Sequence, residues 1–342
     1  MVEIIRPKVL FVAWHPYEVS WVHRDIEILR REFTVKVARF ATFVDVLNVI
    51  CQIKEVDVSF VWFGGKAAAI TVFLSKLLRK KSIVIAAGAD AARVPDIGYG
   101  MSLNPINRFF VQFSFQYADA VLAVSESTRI ELLKNYHVNP EKVRVVYHGF
   151  DYEKYKPKGK KENLVLTVGG ISWGTLVKKG LETFIKATNY LNDVNFMLIG
   201  AYEDDSILYL KSIAGSNVKF TGFIPFPDLL GFMQKAKVYV QVSAHESFGC
   251  SLAEAMLCEC VPVVTKRAAL PEVVGDTGYY VPVDDPKQTA RIIEEALFSE
   301  KGSLARKRII QKFSLQRREK ELMMIIKNLL KKQDVFWRIL GY

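Results

Sequence analysis

Cysteine is scarce: the 342 residues hold four, Cys51, Cys250, Cys258 and Cys260. That excludes a disulfide scaffold. Cys258 and Cys260 stand too close together for the usual C-x2-C zinc spacing, and no histidine lies near them, so packing is their expected role. Long apolar runs are also missing. The stretch Ala67–Leu74 falls far short of the roughly 18–20 residues that a membrane span needs. The first strand-like run, Lys8–Trp14, is short and ends in Trp14-His15, unlike a secretory leader. These absences lead us to expect an intracellular protein. No glycine pattern G-x-G-x-x-G follows Trp14, Phe63 or Val168, which argues against a dinucleotide fingerprint. Short repeats, low-complexity tracts and recognised nucleic-acid motifs are absent too, so no nucleic-acid partner is expected.

What is present is apolar and unevenly charged. Half of the residues are hydrophobic, enough for a large core, and this length favours two domains over one. The net charge is +11, and residues 301–342 carry 12 Lys/Arg against 3 Asp/Glu. Such a segment is either a solvated helix face or a surface drawn to anions. A second basic cluster is Lys76-Leu-Leu-Arg-Lys-Lys81.

Strand-like and helical runs alternate throughout. Lys8–Trp14, Thr34–Arg39, Asp57–Phe63, Ser82–Ala87, Ala120–Val124 and Lys142–Tyr147 read as buried strands. Val22–Phe33, Lys66–Arg79 and Thr128–Tyr136 read as helices between them. The second half repeats this grammar, with strands expected at Leu164–Val168, Asn195–Ile199, Val218–Thr221, Val238–Val242, Pro262–Thr265 and Tyr279–Val281. Short β-branched runs separated by helices specify parallel α/β sheets. We expect two Rossmann-like domains, 1–150 and 163–315, joined by the polar segment 151–162. In residues 316–342, Leu322, Ile325, Ile326 and Leu329 can share one helical face.

In open α/β sheets, ligands bind beyond the carboxyl ends of the strands. That rule gathers Gly169, Gly170, Gly200, Gly222, the pair His245-Glu246, and Lys266. The most informative stretch is Glu246-Ser-Phe-Gly-Cys-Ser-Leu-Ala-Glu254. It places a carboxylate in a loop, small residues at a helix start and a second carboxylate one turn inside. A helix N-terminus attracts phosphate, and a carboxylate accepts two hydrogen bonds from a ribose diol.

This segment, continued through Val261-Pro-Val-Val-Thr265 to Pro286, resembles the donor site of the retaining GT-B glycosyltransferases of family 4. Three further segments match in order: Asp119–Ser127; Val146-Tyr-His-Gly-Phe-Asp151, with His148 in an asparagine's place; and Leu166–Gly170 with Lys179–Ala187. The resemblance runs from about Ala118 to Pro286. It implies two domains facing each other across a cleft, with a C-terminal helix crossing back to the N-domain. It also implies transfer of a sugar from a nucleoside diphosphate sugar, UDP- or GDP-linked, to a hydroxyl acceptor with retention of configuration.

The resemblance implies the site residues as well. Lys179 would reach the donor diphosphate and Glu246 would sit beside the donor sugar. Glu254 would bind the ribose, and the amides of Ser247, Phe248, Gly249 and Cys250 would cradle phosphate or sugar. Gly169 and Gly170 would let backbone approach phosphate, and Gly222-Phe223 would lie near the base. The family's arginine is absent; Gly170 holds about its place, and Lys178 or a residue of Ile171–Thr175 is a candidate substitute. The family's histidine place reads Ala87-Gly-Ala-Asp90, so Asp90 is a candidate for holding donor or acceptor. His15, in the loop Trp14–Trp21, is another. No Asp-x-Asp motif occurs, so neither metal nor cofactor is expected; the nucleotide sugar is a co-substrate. The acceptor is a glycan, lipid or small molecule. The basic clusters, with Phe336, Trp337 and Tyr342, suggest a cytoplasmic protein peripheral on the inner membrane face. Two other classes stay open: a non-catalytic sugar-nucleotide-binding partner and an NAD-dependent Rossmann enzyme.

Overall fold

The computed structural model describes residues 6–14, 19–40 and 43–339, and divides into two units, 1–148 with 316–342, and 149–315. His15 and Tyr342 lie outside the described residues, as do the side chains of Phe336 and Trp337.

The first unit opens with β1 (Lys8–Ala13), α1 (Ser20–Arg30), β2 (Thr34–Arg39), α2 (Phe43–Ile53), β3 (Val58–Trp62) and α3 (Lys66–Leu77). It continues through β4 (Lys81–Ala86), α4 (Pro105–Tyr117), β5 (Ala120–Ala123), α5 (Glu126–Asn135) and β6 (Val143–Val145). All six strands pair in parallel, in the order β2-β1-β3-β4-β5-β6. This is the flavodoxin-like order with one added strand, and its switch point lies between β1 and β3. Helices cover both faces, so β3 is buried along its whole length, and its residues need not alternate. Leu10, Val61, Val84, Val121, Val72 and Phe115 fill the core. Local chemistry sets the helix starts. Asn104 caps α4 by accepting from the amides of Ile106 and Asn107, with Pro105 at the first position. Ser125 caps α5 through the amide of Thr128.

The second unit holds β7 (Glu162–Val168), α6 (Trp173–Lys179), α7 (Leu181–Thr188), β8 (Asn195–Ile199), α8 (Ser206–Ile213), β9 (Val218–Phe220) and α9 (Phe226–Lys235). After these come β10 (Ala236–Gln241), α10 (Cys250–Leu257), β11 (Val261–Thr265), α11 (Leu270–Val274), β12 (Tyr279–Val281), α12 (Pro286–Leu297) and α13 (Gly302–Lys312). Its strands are again all parallel, ordered β12-β11-β10-β7-β8-β9. Counted from its own first strand this is 3-2-1-4-5-6, the dinucleotide-binding order, and the switch point lies between β7 and β10. The helix expected to begin at Lys179 is in fact two. Gly180, in the left-handed region at φ 66°, ends α6 and starts α7. Cys258 and Cys260 are core residues, and burial pushes the Cys258 thiol up to about 12.

The chain ends in α14 (Leu315–Ile339), whose residues from Gln316 belong to the first unit. Leu322, Met323, Ile325 and Ile326 are buried there. Arg318 is 2% exposed and donates Nε and NH2 to the two oxygens of the fully buried Asp25, at 2.6 and 2.7 Å. Its NH1 donates to the carbonyls of Val146 and Tyr147, at 3.0 and 2.6 Å, while the Trp62 indole donates to Asp25 at 3.1 Å. The His148 ring stacks on Trp62 and meets Trp21 edge-on.

Candidate active site

The switch point of the second unit gathers most of the expected residues. Gly169 and Gly170 follow β7, and Gln241 ends β10. Gly180 must be glycine for a reason beyond its φ: a Cβ there would lie 2.1 Å from the Val242 carbonyl oxygen. That close approach stitches the α6–α7 junction to the segment after β10. The amide of Ala244 donates to the Lys178 carbonyl at 3.0 Å, and Ser243 Oγ donates to the Lys179 carbonyl. The loop is fixed from its other side by Thr265 Oγ1 donating to Ser243 O and by the amide of Ala269 donating to Glu246 O.

This scaffold makes an ion pair. Lys179 Nζ donates to Glu246 Oε2 at 2.7 Å, and Gln241 Nε2 donates to the same oxygen at 2.6 Å. Burial raises the Glu246 pKa, but Lys179 beside it outweighs that and holds the carboxyl below its ordinary value. Burial likewise lowers Lys179, and Glu246 more than restores it, so its pKa ends raised. Both groups are therefore charged at neutral pH. Lys178 is pushed down, first by burial and then by its positive neighbour Lys179. A Cβ on Gly169 would rest on Lys179 Cγ at 3.9 Å. At Gly170 a Cβ would meet the Glu203 carboxylate, so a carboxylate occupies the space beside the position where the resemblance lacks its arginine.

Gly249, at φ 94°, sits at the N-cap of α10, and Cys250 opens the helix. The first N–H groups of a helix have no partner within it, and the dipole makes that end positive. For Phe248 the expected contact is made by its backbone amide, and the side chain has a separate place. Its ring is 2% exposed, stacked on Phe150 at 5.8 Å and edge-on to Phe313 at 5.2 Å. Its side chain packs the core, and only its backbone is left for a ligand. Glu254, one turn into α10, is 8% exposed and accepts the Tyr155 hydroxyl at 2.8 Å. Gly222 follows β9 with φ 70°, and Phe223 beside it is 80% exposed.

Asp90 belongs to the first unit and is fully buried. Its carboxylate accepts the amides of Gly64, Ala87, Gly88 and Ala91, at 2.8 to 3.1 Å. Burial raises its pKa against the pull of those amides. Both oxygens are engaged by backbone, so Asp90 holds the loops after β3 and β4.

Sequence reasoning passed over Gln241, Tyr155 and Arg306. Gln241 was the one with a signal: an amide at the end of the apolar strand Val238-Tyr-Val-Gln-Val242. Tyr155 and Arg306 gave none, because their partners are distant in sequence.

Two parallel α/β units, the second with the dinucleotide-binding order and a cationic switch point, define the architecture as GT-B. Residues 162–298 match the family model "Glycosyl transferases group 1", and residues 53–154 match "Glycosyltransferase Family 4". The chain belongs to the family 4-like group 1 glycosyltransferases. It is 29% identical over 185 residues to the O-antigen chain mannosyltransferase RfbU of Salmonella typhimurium, a match covering 53% of this chain and 51% of that one. It is 25% identical over 251 residues to the N-acetylgalactosamine-N,N'-diacetylbacillosaminyl-diphospho-undecaprenol 4-alpha-N-acetylgalactosaminyltransferase of Campylobacter jejuni, covering 69% and 66%. The chain thus spans about half the length of the first relative and just under two thirds of the second. Among solved structures, Anabaena Alr3699/HepE in complex with UDP and glucose superposes with a TM-score of 0.77 at 20% identity, over 94% of this chain and all of that one.

Proposed function

We propose that this chain transfers a hexose from a UDP- or GDP-linked donor to a hydroxyl acceptor with retention of anomeric configuration. The observation that carries the reading is the Lys179–Glu246 pair at the β7/β10 switch point, near the N-terminus of α10, with Glu254 one turn inside that helix. In the reaction the bond from the sugar's anomeric carbon to the diphosphate breaks, and a bond to the acceptor oxygen forms on the same face. The acceptor's proton passes to a phosphate oxygen of the leaving group. Negative charge grows on the diphosphate, and Lys179, Lys178 and the first amides of α10 stabilise it there. These cations and dipoles do the work a divalent metal does elsewhere, so activity should persist in EDTA. The Glu246 carboxylate supports the positive charge that develops on the sugar ring. Glu254 accepts from the ribose, and the exposed Phe223 offers the base a ring.

The test incubates purified protein with UDP- and GDP-sugars and a panel of acceptors, with and without EDTA. It follows nucleoside diphosphate release and the product's anomeric coupling by NMR. An inverted product overturns retention. Loss of activity in chelator, restored by Mg²⁺ or Mn²⁺, overturns metal independence. Donor binding with neither hydrolysis nor transfer would make the chain a non-catalytic sugar-nucleotide partner.

The named activities of the two relatives, on O-antigen chain and on a diphospho-undecaprenol glycan, favour a lipid-linked acceptor. Among the described residues no helix is long and apolar enough to cross a membrane. The packed helices α3 and α4 nonetheless expose Phe73, Leu77, Ile106, Phe109 and Tyr117. The basic run 76–81 lies at the end of α3, with Asp119 pairing Lys76 and Lys81. Each cation near an anionic membrane contributes about 1 kcal/mol. We read this face, with the basic end of the chain, as a peripheral membrane surface on the cytoplasmic side. It should sediment with anionic liposomes at low salt and be released by high salt. Absence of binding at low salt refutes this surface.

A further inference from the structure

Glu254 is reached by a clamp that starts elsewhere in the second unit. Tyr155 lies in the segment 149–161 before β7, is 2% exposed, and donates its hydroxyl to Glu254 Oε1 across 99 residues of sequence. Its backbone is held by Arg306 of α13. NH1 donates to Tyr155 O at 2.7 Å and NH2 to Tyr152 O at 3.1 Å, and NH1 also reaches the carbonyl of Leu257, the last residue of α10. A cation at that end suits the helix dipole. The Tyr155 ring meets Phe226 of α9 edge-on at 5.8 Å, and the ammonium of Lys154 sits over Phe226 at 4.2 Å. Ring, backbone and hydroxyl of Tyr155 are thus each fixed by a different element.

From this arrangement we propose that Tyr155 is a positioning residue for nucleotide recognition: it sets the orientation in which Glu254 presents its carboxylate to the ribose diol. The proposal rests on the reading of Glu254 as the ribose acceptor. A glutamate side chain has three torsions, and ordering them when ligand arrives costs affinity. Tyr155 orders them beforehand. A carboxylate has about four lone-pair sites, so accepting from Tyr155 is compatible with accepting from a ribose diol as well.

The experiment is calorimetric titration of the full chain with UDP and 2′,3′-dideoxy-UDP, and with GDP and its dideoxy counterpart. The proteins are wild type, Tyr155→Phe, Glu254→Ala and the double variant. The readout is each protein's preference for ribose over dideoxyribose. This ratio is internal to each protein, so a partly unfolded fraction cancels. Wild type should prefer ribose by about tenfold or more, and Glu254→Ala should remove that preference. Tyr155→Phe keeps the ring and loses only the hydroxyl. It should cut the preference about threefold to tenfold, the range of one net hydrogen bond, with the dideoxy Kd unchanged. The double variant should be no worse than Glu254→Ala, since Tyr155 acts through Glu254. Full preference in Tyr155→Phe overturns the proposal. So does an equal loss for both nucleotides, which would make Tyr155 part of the fold alone. A wild type that binds without distinguishing ribose, or binds neither nucleotide, refutes the Glu254 reading itself, and the proposal falls with it.

Discussion

Replacing Lys179 by methionine should separate two things the lysine does. In the structure its ammonium sits 2.7 Å from Glu246 Oε2, with Gln241 as the second donor to that oxygen. Removing one partner of a fully buried ion pair costs about 3–5 kcal/mol. Here the side chains are 27% and 13% exposed, so water screens part of the charge left behind, and about 1–2 kcal/mol is the appropriate scale. The second loss is the diphosphate contact. A hydrogen bond to a charged group is worth about 1.5–3 kcal/mol, so the Kd for UDP or GDP should rise about 10- to 150-fold. The two losses respond differently to pH. Lys179 depresses the Glu246 pKa in the folded protein. That contribution to stability is present above the unfolded glutamate's pKa and is lost as pH falls through the folded value. The stability gap between wild type and Lys179→Met should therefore be full at pH 7 and close only as pH falls below the unfolded glutamate's value of about 4.3 and through the lowered folded one. Adding Glu246→Gln should restore stability at pH 7 without restoring nucleotide affinity. Thermal unfolding across pH and calorimetry with nucleotide measure both. An unchanged Kd removes Lys179 from the diphosphate site, and a stability gap that persists at low pH refutes the ion-pair account.

Four further outcomes are expected. Asp90→Ala takes the acceptor from the amides of Gly64, Ala87 and Gly88, the first and last of them buried, and should cost about 2–4 kcal/mol of stability; unchanged stability would mean that Asp90 does not hold its loops. Phe248→Ala should cost about 3–5 kcal/mol, because its ring fills the space between Phe150 and Phe313; weaker nucleotide binding with full stability would refute a packing role for the ring. Arg318→Met leaves Asp25 buried without its cation, at about 3–5 kcal/mol, and Asp25→Leu in the same protein should recover much of that; no recovery would refute the charge argument. Burial, then Arg318 and Arg24, hold the His148 pKa well below its ordinary value, so the unfolded chain takes up a proton near pH 6.5 that the folded chain refuses. Stability should fall by about 1.4 kcal/mol between pH 7.5 and 5.5, and a His148→Gln protein should lack that component in denaturant titrations.

The sequence by itself determined the alternation of strands and helices, because short β-branched runs between amphipathic ones have few other ways to bury their apolar surface. It also marked Glu246 and Glu254, since a loop carboxylate, a glycine and a helix start lie within one local stretch, while Lys179, 67 residues from Glu246, was marked only by the resemblance to the family. Local signals did not reveal α2 or α4, where Phe43–Ile53 and Pro105–Tyr117 are too aromatic and β-branched to read as helices. Tertiary structure alone decided the strand orders, and with them the switch point that sets Gly169, Lys179 and Gln241 beside one another. It surrounded Asp90 with backbone amides and set the Phe248 ring in the core, because burial depends on what packs from afar. It also turned Tyr155, in a segment read as a linker, into the partner of Glu254. Residue type and spacing report what a side chain can bond to within a turn or two. Which distant donor reaches it is set by how the whole sheet and its helices close-pack.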